Sequence, residues 1–337
     1  MDIRLFDYTL PQELIAQKPL EKRDHSKLLI LDKKKGKIKH DCFYNLGDYL
    51  REGDVLVINK SKVTQCRLSG IKEVTGAKIE CFVLRKSSKD GYDVLLKPSR
   101  RVRPGDKVMI GDDSFKVLEK YRNGKARVFF SSQVKELFNK HGEIPLPPYI
   151  KSKDLDVERY QTVYAKKEGS TAAPTAGLHF TQRMIDGLKR KKIVFASLCL
   201  NIGLDTFKPV STSNIEDHNI HEEYYEIKKK ESDIIEKAMS SGRRIISVGT
   251  TSTRVLEAVM QKHGRIRQDS GKTGIYIYPP YRFQTIDAMI TNFHLPRSTL
   301  LLMVSAFTGR ENILKAYAEA IRNSYRFYSF GDCMLIK

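Results

Sequence analysis

The chain has 337 residues, and 60 Lys and Arg against 40 Asp and Glu give it a formal net charge of +20. A single hydrophobic core usually stops growing below this length, so we expect two domains. The charge exceeds what solubility requires and indicates a phosphate-rich partner, with nucleic acid the first candidate. General lysine enrichment in a heat-adapted or low-GC organism is the alternative source of the charge.

Cysteine usage and hydropathy disfavour several other classes of protein. The five cysteines are an odd number and include no Cys-x-x-Cys pair, which argues against a disulfide framework and a structural zinc site. A reducing cytoplasm fits this pattern. No apolar run approaches the roughly 18 residues that a membrane span needs, and no signal-peptide apolar region follows the first residues.

The first half of the chain contains one apolar strand and then a region typical of a small barrel. "KLLILD" at residues 27–32 predicts a strand of a larger layer. From residue 54 to 132, short apolar runs beginning with "DVLVIN" recur with turn residues between them, which is the pattern of an antiparallel barrel or sandwich. The Pro-rich "IPLPPYI" at 144–150 marks the exit from this insert, since it continues neither a helix nor a central strand.

From residue 160 onward, apolar strands alternate with helical patterns. This rhythm predicts an α/β layer. We therefore expect a larger mixed α/β domain, discontinuous in sequence over 1–55 and 150–337, with a small antiparallel β-barrel domain inserted at 56–149. The predicted strands are "IVFASLCL", "YYEIK", "RIISVG", "GIYIYP" and "AMITNF", and the predicted helices cover 181–192, 231–243, 251–263, 298–308 and 311–324.

Three strand-to-helix connections carry the residues best suited to chemistry. "TAAPTAGLHFT" at 171–181 surrounds His179 with small residues that let backbone approach a ligand, although a structural histidine is an equal alternative. "VGTTSTRVLE" at 248–257 places Arg254 near a helix start, where an anion or a carboxylate would compensate its charge. "ITNFHLPRST" at 290–299 follows an apolar strand with Asn292 and His294. Ligands of open α/β sheets lie at such strand ends, so neighbouring strands would bring the three into one pocket.

Two further segments allow more than one interpretation. His218 and His221 in "DHNIHEE" have the spacing of a metal pair, but they lack a third ligand and a firm helix, which favours a surface or RNA-contacting role. "YRFYSFGDCML" at 325–335 interleaves aromatic residues with Arg326. Such residues stack on splayed RNA bases, or they form an aromatic plug that closes a domain core.

Taken in order, these blocks and several others closely resemble the S-adenosylmethionine:tRNA ribosyltransferase-isomerase family of queuosine biosynthesis. The resemblance covers nearly the whole chain. It implies an α/β domain with an inserted barrel, S-adenosylmethionine as co-substrate and no metal. Besides "YRFYSFGDCML", the matching blocks are "FDYTLPQELIAQKPLEKRDHSKLL", "VINKSKV", "YQTVYAKKEGSTAAPTAGLHFT", "GLDTFKPV", "DHNIHEEYY", "GTTSTRVLE" and "DAMITNFHLPRSTLLLMVSAF".

The resemblance also implies a reaction and partners. The ribosyl part of S-adenosylmethionine is moved onto the 7-aminomethyl-7-deazaguanine at the wobble position of tRNAs with a GUN anticodon, and it is isomerised to epoxyqueuosine. Adenine and methionine leave. The sulfonium acidifies the ribose C5' hydrogens, so we expect proton abstraction there, ring opening that expels adenine, attack by the tRNA amine and epoxide closure. We expect a cytoplasmic monomer.

Residue roles are assigned on this chemistry. We assign His179 as base, His294 as proton donor or second base, and Arg254 as anchor for a carboxylate or hydroxyl. Phosphate contacts are expected from Lys97, Arg100, Arg101 and Arg103. The residues expected to bind substrate are Thr175, Gly177, Asn292, Thr250, Tyr325 and Arg326.

One departure from the family affects these roles. The family usually has His where this chain has Asn201, in "LNIGLDTF" at 200–207. This change makes His179 the stronger candidate for the catalytic base. Asn201 can at most position the substrate through polar contacts. A catalytically silent RNA-binding protein and a metal-dependent hydrolase built on His218 and His221 are the alternatives from other classes.

Overall fold

The structure is a computed structural model that describes residues 1–87, 89–152, 156–203 and 210–337. The chain forms two compact units. The larger comprises residues 1–62 and 147–337, and the smaller comprises residues 63–146.

The strands are β1 Lys27–Leu31, β2 Ile38–Cys42, β3 Val55–Asn59, β4 Ser61–Val63, β5 Arg67–Lys72, β6 Lys78–Lys86, β7 Tyr92–Lys97, β8 Lys107–Ile110, β9 Asp113–Lys120, β10 Lys125–Phe130, β11 Lys167–Ser170, β12 Val194–Leu200, β13 Glu223–Ile227, β14 Ile245–Val248, β15 Asp269–Thr273, β16 Ala288–Asn292 and β17 Cys333–Ile336. The α-helices are α1 Val134–His141, α2 Gln182–Arg190, α3 Lys229–Ser240, α4 Thr250–His263, α5 Thr299–Thr308 and α6 Arg310–Arg322.

The larger unit is built on a nine-stranded sheet with the order β15-β13-β12-β3-β14-β16-β17-β1-β2. Its centre is parallel, because β3 pairs in parallel with both β12 and β14, and β14 pairs in parallel with β16. Antiparallel pairs flank this centre, with β13 against β12 on one side and β17 against β16 on the other. The carboxyl ends of four adjacent strands, β12, β3, β14 and β16, therefore meet at one edge of the sheet.

Strand β3 shows why the centre of the sheet forms from this sequence. All five of its residues are buried, as expected for a parallel strand that is covered on both faces. Val55 and Val57 pack into one apolar cluster together with α3, α4, α5 and α6. Leu56 and Ile58 pack into a second cluster, on the other face, together with α2. Side chains of a strand alternate between faces, so this run of apolar residues joins the two layers.

The smaller unit is a closed six-stranded barrel with the order β10-β7-β6-β5-β8-β9, followed by α1. Burial along β10 alternates between inward and outward residues, which is the pattern of a strand with one face toward a core. The predicted fold class, a mixed α/β domain with an inserted antiparallel barrel, is confirmed.

Several details of the prediction are corrected. The proposed boundary at residue 56 divides β3, which belongs to the large sheet because its partners are β12 and β14. "GIYIYP" at 274–279 is not a strand; the strand in this region is β15 at 269–273, paired with β13. The barrel helix α1 and the strand β17 were not predicted. The five predicted helices correspond to α2 through α6, with ends shifted by a few residues.

We expect Leu56→Ala to destabilise the larger unit by about 2–5 kcal/mol, because it deletes a fully buried side chain from the central strand. Leu5→Ala, at a residue that is 44% exposed, is the matched control and should change stability far less. Urea unfolding followed by far-UV circular dichroism measures both. Equal losses for the two variants would contradict the central position of β3.

Candidate active site

Polar residues gather at the edge where the four parallel strands end. Ser61 follows β3, Asn201 follows β12, Thr251 follows β14, and Asn292 is the last residue of β16. Each has a buried side-chain oxygen that finds no hydrogen-bond partner among the described residues: Ser61 Oγ, Asn201 Oδ1, Thr251 Oγ1 and Asn292 Oδ1. A buried oxygen without a partner costs about 1–3 kcal/mol. Four at one edge mark it as a place where a polar ligand would complete the hydrogen bonding.

The loop with the sequence TAAPTAGLHFT lies against this edge. Its residues Thr175–His179 form a 3-10 turn that precedes α2. A Cβ at Gly177 would lie 2.0 Å from the hydroxyl oxygen of Tyr164, so only glycine fits beneath that ring. A Cβ at Gly249 would lie 3.5 Å from the Cβ of Ala176. The loop therefore packs directly on the end of β14.

His179 connects this loop to the end of β16. The imidazole is 4% exposed, with Nδ1 2.8 Å from Ser26 Oγ and Nε2 3.3 Å from Asn292 Nδ2. Asn292 Nδ2 also donates to the backbone carbonyl of Tyr328 at 3.0 Å, which identifies the atom as nitrogen. Nε2 of His179 must then accept, and Nδ1 carries the proton and donates to Ser26. The imidazole is thus fixed in one tautomer.

Burial holds His179 neutral. Desolvation, followed by the charges of Arg326 and Arg23, lowers the pKa of His179 to about 3. A free imidazole titrates near pH 6.5, whereas this one is enclosed and faces arginines. Its lone pair is consequently available at any physiological pH, but its basic strength is low.

His294 lies beyond the end of β16 and is 8% exposed. Its Nε2 is 2.8 Å from Thr291 Oγ1, and burial lowers its pKa to about 3. Thr291 and Asn292 are consecutive in β16 and project to opposite faces of the sheet. His294 and His179 therefore contact side chains on opposite faces, although both lie at the same strand end.

Arg254 lies close to the beginning of α4 and is 4% exposed. Its Nη1 pairs with the carboxylate of Glu223, which also accepts the backbone N–H of Gly203 at 2.8 Å. A carboxylate of the chain itself is thus the compensating partner that the helix start requires. Nε and Nη2 of Arg254 are buried and have no partner among the described residues. Two donors of one cation remain available beside an amino-terminal helix end, where anions bind favourably.

The structure brings most of the predicted site residues together. Thr175 and Gly177 belong to the loop that packs on β14, and the contact between His179 and Asn292 joins this loop to β16. Thr250 is the first residue of α4 and is buried. The predicted convergence of the loops near 177, 249 and 292 is therefore observed.

Tyr325 does not serve as an exposed stacking surface. Its ring is 1% exposed and packs edge-on against Phe293, and its hydroxyl lies 2.7 Å from His40 Nδ1. Phe327 is likewise buried, so the aromatic segment is the core plug that was its alternative interpretation. Arg326 differs from them, because it is half-buried and lines a cavity that His179 also lines.

Sequence reasoning missed Ser26 and Glu223 as partners of His179 and Arg254. Glu223 stands in the quoted "DHNIHEE", but nothing local connects it to an arginine 31 positions later. Of "LNIGLDTF", residues 204–207 lie outside the described residues. Within the described part of that segment, Asn201 occupies the strand end and a Cβ at Gly169 would meet its Nδ2 at 2.9 Å.

Within residues 1–87, 89–152, 156–203 and 210–337, no group of three or more His, Cys, Asp or Glu side chains is arranged to hold a metal ion. The ring of His218 packs at 5.6 Å from that of Tyr276. In the same part of the chain, no helix has both the length and the apolar character of a membrane span.

The chain matches a protein family described as queuosine biosynthesis protein over residues 3–336. A relative from Caldanaerobacter subterraneus subsp. tengcongensis is 50% identical over 335 residues and covers 98% of each chain. Another from Staphylococcus saprophyticus is 48% identical over 340 residues, covering 100% of both. Each is named S-adenosylmethionine:tRNA ribosyltransferase-isomerase. A crystal structure of the S-adenosylmethionine tRNA ribosyltransferase from Thermotoga maritima is 36% identical, with a TM-score of 0.59 over 99% of this chain and 100% of that one.

The lowered pKa values of His179 and His294 predict a loss of stability in acid. An unfolded histidine has a pKa near 6.5, so between that pH and about 3 the unfolded chain binds a proton that the folded protein excludes. Stability therefore falls as the pH decreases through this range, by about 2 kcal/mol per histidine at pH 5 relative to pH 7.

Urea unfolding at pH 7 and pH 5 measures this loss. In His179→Asn the difference between the two pH values should shrink by about 2 kcal/mol, since one titrating group is removed. A variant with the same pH difference as the wild type would show that the pKa of His179 does not differ between the folded and unfolded states.

Proposed function

Because the chain belongs to the queuosine biosynthesis protein family, we propose that it transfers and isomerises the ribosyl moiety of S-adenosylmethionine onto the 7-aminomethyl-7-deazaguanine at the tRNA wobble position, giving epoxyqueuosine-tRNA, adenine and methionine. The observation that carries this proposal is similarity at about half identity, over the whole length, to relatives named for this activity. Those relatives are enzymes, so the alternative of a catalytically silent RNA-binding protein is set aside. The resemblance seen in the sequence is confirmed.

S-adenosylmethionine fits the carboxyl edge of the four parallel strands. Its ribose hydroxyls and adenine need donors and acceptors in a site from which water is excluded, and the buried oxygens of Ser61, Asn201, Thr251 and Asn292 offer acceptors there. The methionine carboxylate needs a cation. We assign this role to Nε and Nη2 of Arg254, the fifth residue of α4, and we assign Thr250, its first residue, to substrate positioning.

The first chemical step needs a group that takes a C5' proton from the ribose. His179 presents a neutral imidazole in a defined tautomer, and this imidazole is a weak base. The sulfonium of the substrate acidifies the C5' hydrogens, so a weak base can remove one of them. Asn292 would have to release Nε2 for this role. His294 is proposed as the proton donor or second base, and Thr175 and Gly177 as residues that position the nucleoside.

The second substrate is proposed to be tRNA with a GUN anticodon. Wobble-base chemistry requires the nucleotide to leave its stack, and phosphate contacts then hold the anticodon arm. Lys97, Arg100, Arg101 and Arg103 of the smaller unit are exposed and are proposed as phosphate contacts. Arg326 is proposed to bind substrate from the larger unit. We further propose that the protein acts in the cytoplasm as a monomer without a metal.

Replacing the proposed base tests its role. We expect His179→Asn to lower adenine release from S-adenosylmethionine and precursor tRNA by about 10²–10⁴-fold, the range of a lost general base. In the wild type, the rate should be independent of pH between about 5.5 and 8, because the pKa of about 3 leaves Nε2 unprotonated throughout. His263→Asn, at the far end of α4, is the matched control. Near-wild-type turnover of His179→Asn would remove His179 from the reaction.

A variant that tests the carboxylate-binding role of Arg254 must leave no buried charge unpaired. Arg254→Gln combined with Glu223→Gln removes both members of the ion pair. We expect the KM for S-adenosylmethionine to rise about 10–100-fold, since a hydrogen bond to a charged group contributes about 1.5–3 kcal/mol. Decarboxylated S-adenosylmethionine, which lacks the anchored group, should bind the wild type and the double variant equally. A loss of affinity as large for that analogue would contradict the assignment.

A further inference from the structure

A small pocket of about 20 Å³ lies beside His179, and three arginines line it. Arg23 comes from the turn before β1, Arg159 from the segment before β11, and Arg326 from the segment before β17. All three are half-buried. The remaining wall is formed by small or apolar residues, including Ser26 and Phe330. We refer to these three side chains and the cavity between them as the arginine pocket.

The guanidinium groups are held in place mainly by backbone carbonyls and to a smaller extent by carboxylates. The hydrogen bonds run from Arg23 Nη1 to Gln161 O at 3.1 Å, from Arg159 Nη2 to Leu20 O at 2.6 Å and Glu21 O at 3.2 Å, and from Arg326 Nη1 to Lys18 O at 3.4 Å. A carbonyl orients a guanidinium but does not cancel its charge. The pocket is therefore preorganised and retains most of its positive charge.

Two carboxylates offset part of this charge. Asp332 lies 3.6 Å from Arg326 and also accepts the backbone N–H groups of Arg326 and Lys27, at 2.8 and 3.0 Å. Asp156 acts electrostatically on Arg23, but burial and the neighbouring Arg159 outweigh it and lower the pKa of Arg23. Arg159 lies close enough to Arg23 to disfavour its charge, and Arg326 lines the same cavity, which leads to a buried imidazole. The three cations together form a site for an anionic group.

Both substrates of the proposed function carry anionic oxygens. Their overall charges indicate which of the two the arginine pocket binds. S-adenosylmethionine has one carboxylate but also an ammonium and a sulfonium, so its net charge is positive and three arginines would repel the rest of the molecule. A phosphodiester carries a negative charge with no attached cation, and its oxygens match the fork of a guanidinium. The charge balance of the pocket thus favours RNA.

We propose that the arginine pocket binds a phosphodiester group of the tRNA, next to the nucleotide that is modified. This inference rests on the proposed function for the identity of the RNA. The shared wall at His179 gives the reason for the location, because the pocket and the strand-end site that we assign to S-adenosylmethionine meet at that residue. Arg23, Arg159 and Arg326 would hold the backbone while the base reaches the reacting ribose.

The test measures tRNA affinity and its dependence on salt. A transcript of a tRNA with a GUN anticodon is titrated with wild type, Arg23→Gln/Arg159→Gln and Arg23→Lys/Arg159→Lys, between about 50 and 200 mM salt. Arg243→Gln is the matched control, since Arg243 is exposed and precedes β14, at the opposite edge of the sheet. Circular dichroism melting verifies that each variant folds.

We expect the Gln double variant to raise the Kd for the transcript at least about 10-fold and to reduce the slope of log K against log salt by about 0.7 for each phosphate that is no longer neutralised. The Lys double variant should keep most of the slope, because it keeps the charges. The Arg243 control should match the wild type. In all variants the Kd for S-adenosylmethionine, measured by calorimetry without RNA, should stay the same.

Two results would overturn the proposal. An unchanged Kd and slope in a folded Gln double variant would show that no phosphate is bound there. A raised Kd for S-adenosylmethionine with unchanged tRNA binding would assign the pocket to the methionine carboxylate. Failure of the proposed function gives a different result, in which wild-type protein releases no adenine while the transcript still binds through these arginines.

Discussion

The parallel alignment of β12, β3, β14 and β16 is the constraint on which the rest of the structure depends. Four neighbouring strands that run in one direction deliver the residues that follow them to a single edge. Apolar packing on both faces of these strands supplies the stability, as the alternation of β3 between the two clusters shows. That packing offsets the cost of polar oxygens buried at the edge without partners among the described residues. A strand running the other way would send its following residues to the opposite edge.

Burial keeps the two histidines of the strand-end site uncharged, and the positive charges of the arginine pocket lie in a different cavity. His179 and His294 are enclosed and remain neutral, so the strand-end site presents no cation from these two histidines to a positively charged sulfonium. Arg254 is balanced there by the carboxylate of Glu223. The cations of the arginine pocket line a separate cavity beside His179, held by carbonyl oxygens. One imidazole thus stands between a site suited to a cationic nucleoside and a site suited to an anionic backbone.

The sequence predicted the fold class, the five helices after residue 160 and the meeting of three strand ends, because each rests on local patterns or on a general rule of parallel sheets. It misplaced "DVLVIN", since a short apolar run followed by turn residues has the same pattern in a barrel as in a buried parallel strand. Only the distant partners of β3 distinguish the two. "GIYIYP" alternates like a strand, but its tyrosines instead pack on each other, with Tyr276 and Tyr278 rings 4.7 Å apart.

The site was predicted less completely than the fold, for a physical reason. The pKa of an imidazole depends on how fully it is enclosed, and enclosure of His179 involves Ser26, Phe43 and Asn292 from distant parts of the chain. The arginine pocket joins segments near residues 23, 159 and 326, and no motif relates them. Tyr325 and Phe327 stand in an aromatic and basic stretch that suits either a surface or a core, and burial decides between the two.

Strand β17 sets an order of events during synthesis. Residues 333–336 lie in the interior of the sheet, paired with β16 on one side and with β1 on the other. Until the ribosome has made them, the amino-terminal strands β1 and β2 have no connection through the sheet to its parallel centre. The barrel, continuous from 63 to 146, needs none of these late residues. A nascent chain can therefore complete its barrel early, while the large sheet stays incomplete and exposed to chaperones and proteases until residues 333–336 have been made.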